Sequence, residues 1–490
     1  MIKLIKQIPI HSFLLCPALI FFLFVHNSNI VSFDSTYRSL IVSLFIPILF
    51  FILFFFLLKK DSHKAGVTTT VFILIIFCYG LIYELTEKLY YKGLFPLGHI
   101  HRYLVICFSI FILLLFYFLF KTKRTFKSLT YSLNIFVLIL MLINIFNLSI
   151  HLINKKNLKE DASLTKHHPS TINHNLFVND TFPDIYYIIL DGYANDSILS
   201  EFYSYKKNSL TNFLAKNEFY ISSSSRANYL DTYRSLNSSL NFSYLDDTTS
   251  VSIKQNKVCD YLKQNGYKIV QVNSGYAVTQ ENLLADVQIS LETFNEFERT
   301  LLRYTIFRLD DLLGYIHYKT IKEQLSVIEK VFETTGPKFI FIHIVSPHPP
   351  YIFKENGKFK SSTKIINTWW ESKEDYLAQL KYINFRIEKF IVEIIHKSKR
   401  KPIIILQSDH GPWMKNDNPV NVYNARSFIL NAYYIPFFWK NKLYNTITPV
   451  NSFSFIFNNL FNDSIHLQPD VPMNSVAMMQ YPQVKQMLNK

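Results

Sequence analysis

Cysteine is scarce in this 490-residue chain: Cys16, Cys78 and Cys107 lie in apolar stretches, and Cys259 stands alone in the polar half. No intramolecular disulfide can therefore form in the polar half, which fits a domain held by its own core. Glycine is scarce too, whereas Phe and Tyr are abundant. There is no internal repeat and no low-complexity tract. Apart from Glu84 at the end of one, the apolar stretches contain no Asp or Glu, so none lies mid-membrane to mark a proton or ion path, which argues against a transporter. Acidic residues are outnumbered, giving a net charge of +15. Residues 1–153 carry 13 Lys/Arg against 4 Asp/Glu, so +9 of that surplus lies there. Much of it flanks apolar segments, so it reads as membrane orientation and not as a nucleic-acid surface.

What is present first is a set of long apolar runs. Residues 11–29, 40–58, 67–85, 103–120 and 131–152 each have the length and apolarity of a membrane-spanning helix, for which ~20 residues suffice. The first is not read as a signal peptide, because no small-residue cleavage site follows it. Lys3, Lys6, Lys59, Lys60, Lys64, Lys121, Lys123, Arg124 and Lys127 all fall on one side of the five spans. The positive-inside rule then puts the N-terminus in the cytoplasm and everything after residue 153 outside it. Residues 84–102 form an aromatic loop with His99 and His101, read as an interfacial segment. Residues 154–182 are polar and aperiodic, a flexible tether containing His167 and His168.

From residue 183 strand-like and helix-like segments alternate, the pattern of an α/β sheet. Strands are expected at 184–190, 267–272, 338–345, 402–408 and 427–435. Helices are expected at 197–217, 252–265, 301–333, 372–399 and 448–461. Two apolar runs end in chemistry: IYYIIL runs into Asp191-Gly192, and IIILQS runs into Asp409-His410-Gly411. Asp-Gly alone is common turn chemistry. Two buried strands that each deliver an acid to the same sheet edge, one with a histidine, are more than a turn, because open α/β sheets bind ligands there.

Carboxylates with an imidazole suit one divalent ion, zinc, manganese or magnesium. A hydroxyl beside such an ion becomes a nucleophile at neutral pH. Residues 222–241, SSSSRANYLDTYRSLNSSLN, hold the hydroxyl candidates. Leu236 and Leu240 follow Thr232 at helical spacing, so Thr232 falls at a helix N-terminus, where backbone N–H groups favour an alkoxide and a phosphate. Ser235 and Ser238 fall inside the helix, where hydroxyls bond back to the preceding turn. Ser225 lies too far back to share that helix end.

Asp191, the segment Asn228-Tyr229-x-x-Thr232, the run HIVSPHPPY at 343–351 and Ser408-Asp409-His410-Gly411 resemble the alkaline phosphatase/sulfatase superfamily. Five helices followed by such a domain resemble its membrane-anchored branch, the lipoteichoic acid synthases and phosphoethanolamine transferases. The resemblance implies an N-terminal five-helix transmembrane bundle (1–153), a linker (154–182), an α/β sulfatase-like domain with a mostly parallel central sheet (183–467) and a C-terminal tail (468–490). It implies one metal held by Asp191, Thr232, Asp409 and His410, with Thr232 as nucleophile and His348 at the leaving group or substrate. His343 lies within a strand, where a satisfied core histidine and a functional role both stay open. The synthases and transferases carry Glu where this chain has Asp191; other superfamily members use Asp. No Asp-x-x-x-His pair precedes Asp409 to build the phosphatases' second metal site.

Three functions are weighed. One is a phosphotransferase that moves a phospho-alcohol headgroup from a membrane lipid donor to a glycan or lipid acceptor through phospho-threonine. Another is an ester hydrolase of the same superfamily, phosphoric before sulfuric: sulfatases need Cys or Ser in C/S-x-P-x-R, Thr232 cannot become their aldehyde, and Cys259 is followed by Asp-Tyr-Leu. The third is a non-catalytic scaffold, against which retention of all four ligand types argues. Oligomeric state is not legible.

Overall fold

The computed structural model describes residues 8–28, 31, 33–91, 100–164, 182–245, 252–291, 294–306, 308, 310–361, 372–414 and 418–470. His99, His167, His168 and the tail after 470 lie outside the described residues. The chain divides into two compact units: Met1–Ser170 with Asn295–Leu309, and Thr171–Phe294 with Asp310–Lys490.

The first unit contains helices α1 (His11–His26), α2 (Tyr37–Leu57), α3 (Ser62–Tyr91), α4 (Ile100–Lys121) and α5 (Lys127–Leu164). Four of them are long and apolar enough to cross a membrane, over Tyr37–Leu57, Ser62–Thr86, Arg102–Lys121 and Lys127–Ile150. Among the described residues the fifth expected span, α1, is present as a shorter apolar helix. α1 has 16 residues and is about 24 Å long at 1.5 Å per residue, short of a ~30 Å hydrocarbon core. It packs against α2, α3 and α5, with Leu15, Cys16, Ala18 and Phe24 buried. α2, α4 and α5 instead expose large apolar side chains such as Phe45, Leu113 and Leu142, as lipid-facing helices do. The expected tether also begins later: 154–164 continue α5 as helix, and 165–181 lie outside the described residues.

The predicted helix 301–333 is three helices, Glu296–Arg303, Asp310–Gln324 and Ile328–Phe332. The first belongs to the first unit. Asn295 and Glu298 form its capping box, and Glu298 accepts from Arg38 at 2.8 Å. The cap and this long-range ion pair thus fix where the first helix starts.

The second unit is built on a seven-stranded sheet in the order β2-β7-β6-β1-β5-β3-β4. Its strands are β1 (Ile185–Leu190), β2 (Tyr220–Ile221), β3 (Lys268–Val272), β4 (Val287–Ile289), β5 (Lys338–Ile344), β6 (Ile403–Gln407) and β7 (Asn431–Tyr434). β1 pairs in parallel with β5 and β6, and β3 in parallel with β5 and β4. β7 is antiparallel to β6 and β2, so the sheet is mixed and mostly parallel. The short edge strands β2 and β4 were not expected from sequence.

β1, β5 and β6 are buried along their whole length, because both faces are covered. Tyr186, Ile188, Leu190, Ile340, Ile342, Ile404 and Leu406 enter one core. Ile185, Tyr187, Ile189, Phe339, Phe341, Ile403 and Ile405 enter the other. Each buried aliphatic or aromatic side chain contributes about 1.5–3 kcal/mol, so the centre of the sheet is its most rigid part. Register aligns Leu190 with Ile344 and Ile189 with Gln407. The carboxyl ends of β1, β5 and β6 are therefore side by side.

Candidate metal centre and nucleophile

Asp191 follows β1 directly, and its backbone N–H donates to the Ile344 carbonyl at 3.0 Å. Gly192 then takes φ +78°, a left-handed turn that glycine adopts without steric cost. Helix α6 (Thr232–Asn241) carries the nucleophile candidate, and helix α7 (Lys373–Lys397) braces the turn. Tyr376 of α7 donates to the Gly192 carbonyl at 3.0 Å. Gln379 of α7 pins the loop of His348: its amide N–H donates to the carbonyls of Pro347 and His348 at 3.3 and 3.0 Å, and its oxygen accepts from Ile352 and Phe353.

Asp409 sits two residues past β6. One carboxylate oxygen accepts from its neighbour His410 N–H at 2.9 Å and from Gly192 N–H at 3.3 Å. Ser408 Oγ accepts from Tyr193 N–H and donates to the His410 carbonyl, so the β1 and β6 turns are tied together. Gly411 approaches the helix Pro419–Ser427 so closely that a Cβ would collide with the Ala425 carbonyl.

Asp191, His343 and Asp409 each offer a ligand atom, and these atoms lie within 4.8 Å of one another. His343 Nε2 is 3.4 Å from Asp191 Oδ2. His410 Nε2 is 3.6 Å from Asp191 Oδ1 and 3.4 Å from Asp409 Oδ2. None of these four residues is more than 2% exposed. Asp191 Oδ1, Asp409 Oδ2 and His343 Nε2 have no hydrogen-bond partner among the described residues. Buried carboxylate oxygens facing one another are costly unless a cation lies between them, so this donor set fits a divalent ion. Burial pushes the Asp191 carboxyl up, but the His348, His343 and His410 imidazoles outweigh it and hold it well below the usual range. Asp409 moves the other way, raised by burial and then by the charge of Asp191.

His410 is oriented for ligation. Its Nδ1 lies 3.1 Å from the Gly411 carbonyl, which only accepts, so Nδ1 carries the proton and Nε2 the lone pair. Burial, then the neighbouring Arg426 charge, keeps this imidazole well below its ordinary pKa. Two donors share that lone pair. Thr232 Oγ1 is 3.2 Å away and Arg426 Nη2 is 3.0 Å away.

Thr232 is the first residue of α6, capped by Asp231, whose side chain accepts from Arg234 N–H. The alternative hydroxyls are engaged elsewhere. Ser225 donates to the Ile447 carbonyl, Ser235 to the Asp409 carbonyl at 2.6 Å, and Ser238 to the Ser235 carbonyl. Asn228 of the segment before α6 donates to Ser238 and Ser239 and accepts from Val450 N–H, which fixes the helix start. His348 is half-buried, its N–H donates to the Asp191 carbonyl at 2.9 Å, and its ring centroid is 6.2 Å from that of His410. His348 Nδ1 donates to the Pro349 carbonyl at 2.6 Å, so Nε2 carries a proton only in the imidazolium.

All five residues expected from sequence, Asp191, Thr232, His348, Asp409 and His410, thus converge at one sheet edge. Sequence reasoning missed two. His343 was left between core and site because it lies inside β5. Its place next to the last residue of that strand, on the parity of Phe339 and Phe341, is the signal that it ends at the cluster. Arg426 carried no sequence signal.

The family model described as Sulfatase matches residues 183–452. None of the curated proteins matches the chain. Solved structures similar to it include the C-terminal periplasmic domain of phosphoethanolamine transferase EptC from Campylobacter jejuni, at 16% identity and TM-score 0.40, covering 58% of this chain and 90% of that one. The integral membrane lipooligosaccharide phosphoethanolamine transferase A (EptA) from Neisseria meningitidis is 12% identical with TM-score 0.37, covering 94% of this chain and 95% of that one. The phosphonate monoester hydrolase of Agrobacterium radiobacter is 12% identical with TM-score 0.35, covering 57% of this chain and 74% of that one.

Proposed function

This chain belongs to the sulfatase family of enzymes, and from that premise we propose that it is a membrane-anchored, metal-dependent phosphotransferase. It moves a phospho-alcohol headgroup from a lipid donor to a glycan or lipid acceptor through a phosphorylated Thr232. The observation that carries this reading is the Thr232 hydroxyl, 3.2 Å from His410 Nε2 at the first turn of α6. It adjoins a buried cluster whose facing oxygens and nitrogen lack partners. Asp191, Asp409 and His410 would hold the ion with Thr232, and His343 stands ready as a further ligand or as the residue that orients Asp191. A bound divalent ion would offset the two carboxylates and lower the pKa of the Thr232 hydroxyl.

The residues of this chain then divide the work. Thr232 Oγ1 loses its proton to solvent as the hydroxyl ionises, and then bonds to the donor phosphorus as the phosphorus–oxygen bond to the lipid alcohol breaks. The departing alkoxide takes a proton, and His348 supplies it from Nε2 when it is the imidazolium. The N–H groups at the start of α6 face the transferred group. In the second half an acceptor hydroxyl bonds to phosphorus as it gives its proton to His348 Nε2, restoring the imidazolium, and the Thr232 ester breaks to regenerate the Thr232 alkoxide. With water as acceptor the same steps give the hydrolase, the second reading. Phosphoryl is preferred to sulfuryl transfer because threonine cannot form the sulfatases' aldehyde.

An extracytoplasmic domain follows if α1 also crosses the membrane. Its burial among longer helices supports that, since bundle-core helices need less apolar length than lipid-facing ones. The test is incubation of the purified chain with headgroup-labelled phospholipids and glycolipid acceptors, with and without a chelator. Label on the acceptor identifies a transferase, and soluble phospho-alcohol a hydrolase. Release that is indifferent to the chelator contradicts both.

A further inference from the structure

Arg426 is buried, and its guanidinium is held on two sides by backbone. Nε donates to the Leu230 carbonyl at 2.9 Å, two residues before the nucleophile, and Nη1 to the Gly411 carbonyl at 2.7 Å. The Trp413 ring lies over it, 5.9 Å away. Its Nη2 donates to His410 Nε2 at 3.0 Å. That nitrogen has one lone pair, because Nδ1 carries the proton. The lone pair a metal ion needs is therefore the one Arg426 occupies.

We infer that Arg426 is a cation surrogate built into the site: it holds His410 Nε2 when no ion is bound, and once the ion takes that lone pair, its Nη2 turns to an oxygen of the phosphoryl group on Thr232. Thr232 Oγ1 and Arg426 Nη2 are both neighbours of the same nitrogen, so a tetrahedral group on Thr232 falls beside the guanidinium. A planar guanidinium fixed on two edges donates its remaining N–H groups in a set direction, which suits an oxyanion. The structure gives the order of events a physical cause. Before loading, Arg426 supplies positive charge beside Asp191 and Asp409; after loading, the ion does, and arginine is released to the substrate. This inference rests on the reading that the cluster binds a divalent ion.

The test uses the full chain in detergent, with zinc affinity measured by competition against a chromophoric chelator. Inorganic phosphate affinity of the zinc-loaded protein is measured by calorimetry. Arg426→Met removes a competing charge-assisted donor and a like charge, so zinc should bind about tenfold tighter, while phosphate binds at least about tenfold more weakly. Arg426→Lys should keep part of the phosphate affinity. A merely structural arginine predicts the reverse, because loosening the Leu230 and Gly411 loops weakens zinc. Zinc affinity unchanged or lowered in Arg426→Met, or phosphate affinity unchanged, overturns the inference. Should Arg426→Met not fold, a structure of the zinc-loaded wild type decides. His410 Nε2 on the ion with Arg426 turned away supports it, and Arg426 still on His410 Nε2 overturns it. A wild type that binds no divalent ion overturns the metal reading and this inference together, whereas zinc binding with Arg426 indifferent overturns the inference alone.

Discussion

Replacing Asp409 by asparagine is expected to stabilise the metal-free protein and to lose most of that gain when metal is bound. Without an ion, Asp191 and Asp409 are buried carboxylates sharing one cluster, and burial, then Asp191, raises the Asp409 carboxyl. A carboxyl raised on folding contributes stability below its unfolded pKa, near 4, and loses it as pH rises toward neutrality. Asparagine has nearly the same shape, and its amide oxygen can still accept from His410 and Gly192 N–H. It removes one of the two like charges. At about 1.4 kcal/mol per pKa unit and a shift of two to three units, the chelated protein should gain roughly 3–4 kcal/mol at pH 8. That is a rise of several degrees in melting temperature. The gain should shrink toward pH 4. With ion present most of that gain is cancelled. Loss of a charged ligand weakens binding by about a hundredfold, which removes about 2.7 kcal/mol of ligand-linked stability. The assay is thermal unfolding of the full chain by intrinsic fluorescence, with chelator or excess zinc. A chelated Asp409→Asn protein melting below wild type at pH 8, or equal zinc shifts in both proteins, would refute the reasoning.

Ser235→Ala removes the donor to the Asp409 carbonyl and should cost about 1–2 kcal/mol in a thermal melt while leaving Thr232 phosphorylation intact. Gln379→Met orphans the N–H groups of Ile352 and Phe353 and frees the His348 loop. A loss of about 2–4 kcal/mol is expected, with turnover falling and zinc affinity unchanged by titration. A C-terminal reporter active only outside the cytoplasm should light up in the full chain and go dark when residues 11–26 are deleted, because one crossing sets the side.

The sheet was readable because β1, β5 and β6 are mostly apolar and run into Asp-Gly, Ser-Pro and Ser-Asp-His. Burial on both faces writes itself as such runs. The edge strands β2 and β4 were not, since two or three residues carry no period. The start of Glu296–Arg303, five residues before the expected helix, is fixed by its cap and by Arg38, far away in sequence. Ser238 turns back on the Ser235 carbonyl as its helix position predicts, whereas Ser235 donates across to the Asp409 carbonyl, which spacing along one helix does not reveal. Arg426 could not be found, because its role arises only when helix Pro419–Ser427 packs on the Gly411 loop. α1 was legible as an apolar helix but not in its length, because hydropathy does not register where a helix ends.

The central claim is that Thr232 carries the transferred group. Intact-protein mass spectrometry with peptide mapping, after rapid acid quench of the zinc-loaded chain turning over a headgroup-labelled phospholipid, tests it most directly. The account predicts one phospho-headgroup on Thr232, absent in Thr232→Ala, which should lose turnover while retaining most of its zinc, and partly restored in Thr232→Ser. An adduct of wild-type stoichiometry in Thr232→Ala, or full turnover with no adduct at any quench time, would contradict it.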